Sequence, residues 1–122
     1  MSGEFTISVI DDDESFRTAL VGWLRSLGHE ARGYASGVEF INRGGERSCD
    51  CIISDFNMPN MSGLDLIRLL NSRGSTVPII MVTGRTEPGL EDEAAAAGAI
   101  CLLTKPFEED ALIGYLERVL KI

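Results

Sequence analysis

The chain has 122 residues, in which 11 Lys and Arg stand against 19 Asp and Glu for a formal net charge of −8. With 44% hydrophobic and 25% charged residues it has the make-up of one globular domain with a real core, which excludes an intrinsically disordered chain, a collagen-like repeat and a disulfide-dense mini-scaffold. An acidic chain with no cluster of Lys and Arg repels the phosphate backbone, so no direct nucleic-acid contact by this domain is expected.

Met1 to Thr6 lacks the basic residues and long apolar stretch of a secretion signal, and residues 1–5 are expected to be disordered or a cloning remnant. Ile7 to Ile10 is a β-branched run that reads as a first strand; Phe16, Leu20, Trp23, Leu24 and Leu27 then recur at helical spacing up to Gly28. Ala31 to Tyr34 predicts a second strand, and Ser36-Gly37-Val38-Glu39 a capping box opening a helix that stops near Gly44-Gly45. Cys51 to Ser54 is the third strand. Ser62-Gly63-Leu64-Asp65 is a second capping box, whose helix buries Leu66, Ile67 and Leu70. Val77 to Val82 is the most hydrophobic strand, as expected where both faces of a parallel sheet are covered.

Glu87 to Gly98 predicts an alanine-rich fourth helix with Pro88 and Gly89 in its first turn, Ile100 to Leu103 a fifth strand, and Leu112, Tyr115, Leu116 and Val119 the stripe of a final helix. The longest nearly apolar run, Ala94 to Leu103, is about ten residues, half of what a membrane-spanning helix needs. No membrane association and a cytoplasmic location are therefore expected. Cys49, Cys51 and Cys101 read as packing thiols, and His29 alone completes no zinc site with them.

Five strands alternating with five helices predict an α/β fold, a doubly wound (βα)5 with a five-stranded parallel sheet in the order 2-1-3-4-5. Ligands of such sheets sit at the carboxyl ends of the strands, near the switch between strands one and three. Asp11 to Glu14, Asp55, Thr83 and Lys105 fall at those ends. Asp13 and Glu14 read as ordinary acids of a helix N-terminus. Asp11, Asp12 and Asp55 read otherwise, since carboxylates about 5 Å apart repel by roughly 3 kcal/mol at an effective dielectric of 20 and so call for a cation. Oxygen-only ligands with room for water suit Mg²⁺, and −3 from the acids, +1 from Lys105 and a divalent ion sum to zero, leaving the site ready for a phosphoryl group.

These residues resemble the receiver domains of two-component response regulators, whose fold is flavodoxin-like. The resemblance rests on Val9-Ile10-Asp11-Asp12, on Ser54-Asp55-Phe56-Asn57-Met58-Pro59 with Met61-Ser62-Gly63, on Thr83-Gly84 and on Lys105-Pro106-Phe107, in that order over almost the whole chain. It implies a single receiver domain, residues 1–122, in phosphorelay signal transduction. Asp55 would accept a phosphoryl group from a phosphohistidine of a sensor histidine kinase or phosphotransfer protein, giving an aspartyl phosphate. Asp12, Asp55 and the carbonyl of Asn57 would bind Mg²⁺, Asp11 mostly through water. Lys105 would clamp a phosphoryl oxygen and the Thr83 hydroxyl another, with a cis Lys105–Pro106 peptide. The domain would catalyse its own phosphorylation and dephosphorylation without being a turnover enzyme. Its output would pass to a domain or protein through helix four, strand five and helix five, the face through which a phosphorylation-dependent homodimer would also form.

Two positions depart from the family. Leu102 stands where an aromatic switch residue is usual, and Gly84 where Ala is more common, which would widen entry to Asp55. Leu102 keeps open an alternative, a receiver-fold protein-binding scaffold whose output does not depend on phosphorylation. A flavodoxin-like cofactor protein is disfavoured by acids where its phosphate loop would lie, and an aspartate-nucleophile phosphatase by Asn57, where a second acid belongs. Trp23, Met81 and Phe107 are expected in the core. Glu87 to Gly98, with little to hold it down, is the expected two-state element.

Overall fold

Parallel strands carry no hairpins, so each must be followed by a crossover that also covers one face of the sheet. A computed structural model describes residues 5–121 and shows this alternation: β1 (Thr6–Ile10), α1 (Glu14–Ser26), β2 (Glu30–Tyr34), α2 (Gly37–Asn42), a 3₁₀ turn (Gly45–Arg47), β3 (Cys51–Asp55), α3 (Gly63–Ser72), β4 (Ile79–Thr83), α4 (Leu90–Ala97), β5 (Cys101–Thr104) and α5 (Glu109–Leu120). The sheet runs β2-β1-β3-β4-β5 with every pair parallel, the order expected from the alternation. Met1 to Glu4 lie outside the described residues. Phe5, expected with them, packs on the core and accepts a hydrogen bond from Glu30 N through its carbonyl.

Side-chain alternation splits the interior into two layers. Ile7 and Val9 of β1, Ile53 of β3 and Ile80 and Val82 of β4 meet Leu20, Leu24, Leu112 and Leu116 of α1 and α5. Ile10, Ile52, Ile79 and Met81 face Phe40, Leu66, Ile67 and Leu70 of α2 and α3, with Leu90 and Ala94 of α4. β3 and β4 are buried along their whole length, which explains their unbroken apolar runs.

Boundaries differ from expectation where proline or glycine intervenes. β4 begins at Ile79, because Pro78 has no N–H for the ladder; its carbonyl still accepts from Ile52 N at 3.0 Å. α4 begins at Leu90, with Pro88 and Gly89 ahead of it and Gly89 at φ 92 as an N-cap without a side-chain hydrogen bond. The capping box at α3 is complete: Ser62 Oγ accepts from Asp65 N and Asp65 Oδ2 from Ser62 N, both at 3.1 Å. At α2 it is half formed, since Ser36 Oγ accepts from Glu39 N while Glu39 Oε1 accepts from Ala35 N, one residue upstream.

Gly63 lets the start of α3 lie directly under the end of β3. A Cβ there would sit 2.5 Å from the Asp55 carbonyl oxygen and 2.8 Å from Met81 Sδ. Gly63→Ala is expected to destabilise the fold by roughly 2–3 kcal/mol, because backbone cannot yield. Gly37→Ala, whose Cβ meets the flexible Met61 side chain at 2.8 Å, should cost less than half as much. Urea unfolding of the two variants checks the contrast; equal losses would contradict it.

Candidate functional site

Asp11 and Asp12 follow β1, Asp55 ends β3, Thr83 ends β4 and Lys105 follows β5, so the parallel sheet delivers all five to one edge. Asp11, Asp12 and Asp55 each place a carboxylate oxygen within 4.8 Å of the others. Asp11 is fully buried and Asp55 is 7% exposed, whereas Asp12 is open to solvent. At that spacing each pair of charges repels by about 3 kcal/mol at an effective dielectric of 20.

Compensation is uneven. Lys105 Nζ lies 2.8 Å from Asp11 Oδ2 but 4.0 Å from Asp55 Oδ2. Asp11 Oδ1 also accepts from Asp13 N at 2.9 Å, while Asp55 Oδ1 accepts only a long bond, 3.4 Å, from Asn57 N. Burial first, and the Asp11 charge second, therefore push the Asp55 carboxyl up to about 6, against the pull of Lys105. Thr83 is fully buried next to Val82, the register partner of Asp55, and its Oγ1 accepts from Arg85 N at 3.1 Å. The Lys105–Pro106 peptide is cis, and Lys105 N donates to the Thr83 carbonyl at 2.7 Å. An all-oxygen donor set of charge −3 beside one ammonium fits a hard divalent cation.

Asp11, Asp12, Asp55 and Lys105 thus converge, with Thr83 and Asn57 beside them in the chain and sheet. Asp13 is the N-cap of α1, accepting from Phe16 N, and Glu14 opens the helix, as expected of plain terminal acids. Met81 is fully buried, but Trp23 and Phe107 are only half-buried. With Phe16, Leu20 and Pro106 they line an apolar groove of about 390 Å³ that meets the acidic site only at Lys105. Phe16, read from the sequence as one more apolar stripe residue, holds its ring 4.1 Å below the Lys105 ammonium. Leu102 is half-buried against the α2–α4 layer. All three cysteines are free, and burial pushes the Cys51 thiol up to about 12 and Cys101 to about 11, the behaviour of packing thiols. A Cβ on Gly84 would meet no heavy atom within 4 Å, so crowding does not require glycine there.

The profile of the response regulator receiver domain matches residues 7–117. The chain belongs to that family. Among relatives of this receiver, the response regulator protein TmoT of Ectopseudomonas mendocina is 39% identical over 119 residues, covering 98% of this chain and 54% of TmoT. The transcriptional regulatory protein FixJ of Azorhizobium caulinodans is 36% identical over 113 residues, covering 93% and 54%. The crystal structure of FixJ-N superimposes with a TM-score of 0.88 at 30% identity, covering 99% of this chain and 96% of that one. The receiver spans about half the length of the curated relatives it matches. Among the described residues no helix is long and apolar enough to cross a membrane.

Because the folded receiver favours protonated Asp55 over the ionised form, cation-free protein binds more protons folded than unfolded between about pH 4 and about pH 6. Its stability contribution is therefore lost as pH rises through that window and stays lost above it. Asp55→Asn is expected to remove this fall and to be more stable than wild type by roughly 2 kcal/mol near neutral pH without divalent cation. Thermal melts across pH check this, and superimposable profiles would refute it.

Proposed function

We propose that this receiver accepts a phosphoryl group on Asp55 in a Mg²⁺-dependent reaction and uses it to switch a partner-binding surface. The observation that carries the reading is the convergence of three carboxylates within 4.8 Å beside an ammonium that is bonded to Asp11 and held 4.0 Å from Asp55. A buried nucleophile with a weakly satisfied carboxylate, next to a cation site and a fixed positive charge, suits in-line transfer onto oxygen. In the proposed step an Asp55 carboxylate oxygen forms the new P–O bond as the P–N bond to a donor histidine breaks, its electron pair leaving on the imidazole. Asp12, Asp55 and the Asn57 carbonyl would hold Mg²⁺, with Asp11 acting through water. The ion would supply charge neutralisation on the transferring group.

Lys105 would then clamp one phosphoryl oxygen. The Thr83 hydroxyl, which accepts from Arg85 N, would donate to another and so pull on the loop leading into α4. The donor is a sensor histidine kinase or phosphotransfer protein, and the readout face is α4, β5 and α5, toward an output domain or a second copy. The described residues would act as one receiver domain, in the cytoplasm, with no nucleic-acid contact of their own. Hydrolysis of the acyl phosphate would reset the switch, so the domain catalyses its own modification without turning over a substrate for others.

Incubation with acetyl phosphate should add one phosphoryl mass only when Mg²⁺ is present, and Asp55→Asn should abolish the adduct. Absence of any adduct, also with a phosphorylated histidine-kinase donor, would overturn the reading in favour of the phosphorylation-independent scaffold. A second expectation concerns α4, which buries only Leu90 and Ala94 and lacks a side-chain cap. Its amides should exchange at least about tenfold faster than those of α1 and α5 before phosphorylation and slow afterwards. Equal, high protection in both states would remove α4 as the moving part.

A further inference from the structure

The ammonium of Lys105 rests over an aromatic face. Phe16 lies in the first turn of α1, and its ring centroid is 4.1 Å from Nζ. Its backbone N–H is tied to Asp13 Oδ1 at 3.2 Å, and Asp13 N is tied to Asp11 Oδ1 at 2.9 Å. Asp11 Oδ2 in turn holds Nζ at 2.8 Å. These contacts close a circuit, Asp11 to Asp13 to Phe16 to Lys105 and back to Asp11. The Phe107 ring, two residues past the lysine, meets Phe16 in a T-shaped pair with centroids 6.2 Å apart and planes at 81°, a contact that limits how the Phe16 ring can turn.

We infer that Phe16 is a positioning residue, whose ring and whose place in this circuit hold the Lys105 ammonium on Asp11 and off Asp55, although the lysine itself borders the groove. A lysine has four rotatable bonds and three donors that water satisfies well, so one carboxylate contact does not fix where its charge points. An aromatic face against the ammonium adds a second anchor: it attracts the cation and occupies a place that water would otherwise take. The consequence is specific to the acceptor. Were Nζ free to swing, its nearest uncompensated charge is Asp55, and a bonded Asp55 is a poorer nucleophile. The catalytic meaning rests on the phosphoacceptor reading above, whereas the anchoring of the ammonium rests on geometry alone.

Lys105 and Lys121 are the chain's lysines, and Lys121 is exposed, so amine acetylation followed by peptide mass spectrometry carries its own internal standard. Phe16→Leu, or Phe16→Met should the first fold poorly, keeps apolar bulk but removes the π face. Either is expected to raise the Lys105 to Lys121 labelling ratio about threefold, the worth of a partly exposed cation–π contact. Phe16→Tyr should keep the wild-type ratio. In the acetyl phosphate reaction the maximal rate of the aliphatic variants should fall by a similar factor with little change in the half-saturating Mg²⁺ concentration, and Phe16→Tyr should restore it. An unchanged ratio in the aliphatic variants, or an equal rise in Phe16→Tyr, overturns the inference. A wild type that takes no phosphoryl group overturns the phosphoacceptor reading instead and leaves the labelling result to judge the ring.

Discussion

A carboxylate buried at the end of the first strand sets the terms for the rest of the molecule. Asp11 is fully buried, and an ionised carboxylate in such a place is sustained only by a cation and donors that take the place of water. Both are supplied locally and from afar: Asp13 N–H from the turn into α1, and the Lys105 ammonium from a residue 94 positions away. β1 and β5 are not neighbours, since β3 and β4 lie between them, so the lysine reaches along the edge of the sheet across two strands. The pair can form only if β1, β3, β4 and β5 are in order and register. The same ammonium is thereby brought within 4.0 Å of Asp55, and completing the fold and assembling the site become one event.

That arrangement also divides stable from labile structure. α1 and α5 cover one face with full-sized side chains, Leu20, Leu24, Leu112 and Leu116, while α2 and α3 cover the other with Phe40, Leu66, Ile67 and Leu70. α4 contributes one leucine and an alanine, is eight residues long, and starts from a glycine at positive φ. It follows directly on the loop that leaves Thr83. A segment with little buried apolar area has a small free-energy gap between its arrangements, so a modest force at its root is enough to bias it. Under the proposed function, the strands that hold the acids would stay fixed while the loosely held helix downstream moves.

Much of this was legible in the residues. Strand and helix alternation gave the sheet order, and the placement of acids, a hydroxyl and a lysine at successive strand ends gave the site, because parallel topology sends all such ends to one edge. The misreadings share a cause: periodicity records which side chains are apolar, not whether anything lies over them. Trp23 and Phe107 pack against the core as their pattern implies and yet stay only half-buried, because they also wall an open groove. Phe16 carries that pattern too, and its role follows from meeting Lys105 across 89 positions of sequence, a distance that no local pattern encodes. Pro78 and Gly89 shifted the starts of β4 and α4 through backbone terms, a missing N–H and a positive φ, that outrank the apolar pattern around them.

Under the proposed function, the leucine at position 102 changes how a signal would leave the site. An aromatic ring offers two well-separated rotamers, one buried and one exposed, whereas leucine is compact and gains little from turning outward. Leu102 is half-buried and shares a small cleft with Leu90, Arg85 and Thr104, at the seam between α4 and β5. Arg85 is the residue whose N–H is held by the Thr83 hydroxyl and whose guanidinium pairs with Glu87. A Thr83 hydroxyl drawn toward a phosphoryl group therefore acts first on Arg85, and Arg85 borders the same cleft as Leu102. With no ring to rotate, the economical response is for the cleft itself to close or open as α4 shifts against β5. Under the proposed function, α4, which buries only Leu90 and Ala94, and not a side-chain rotamer, carries the change to the surface.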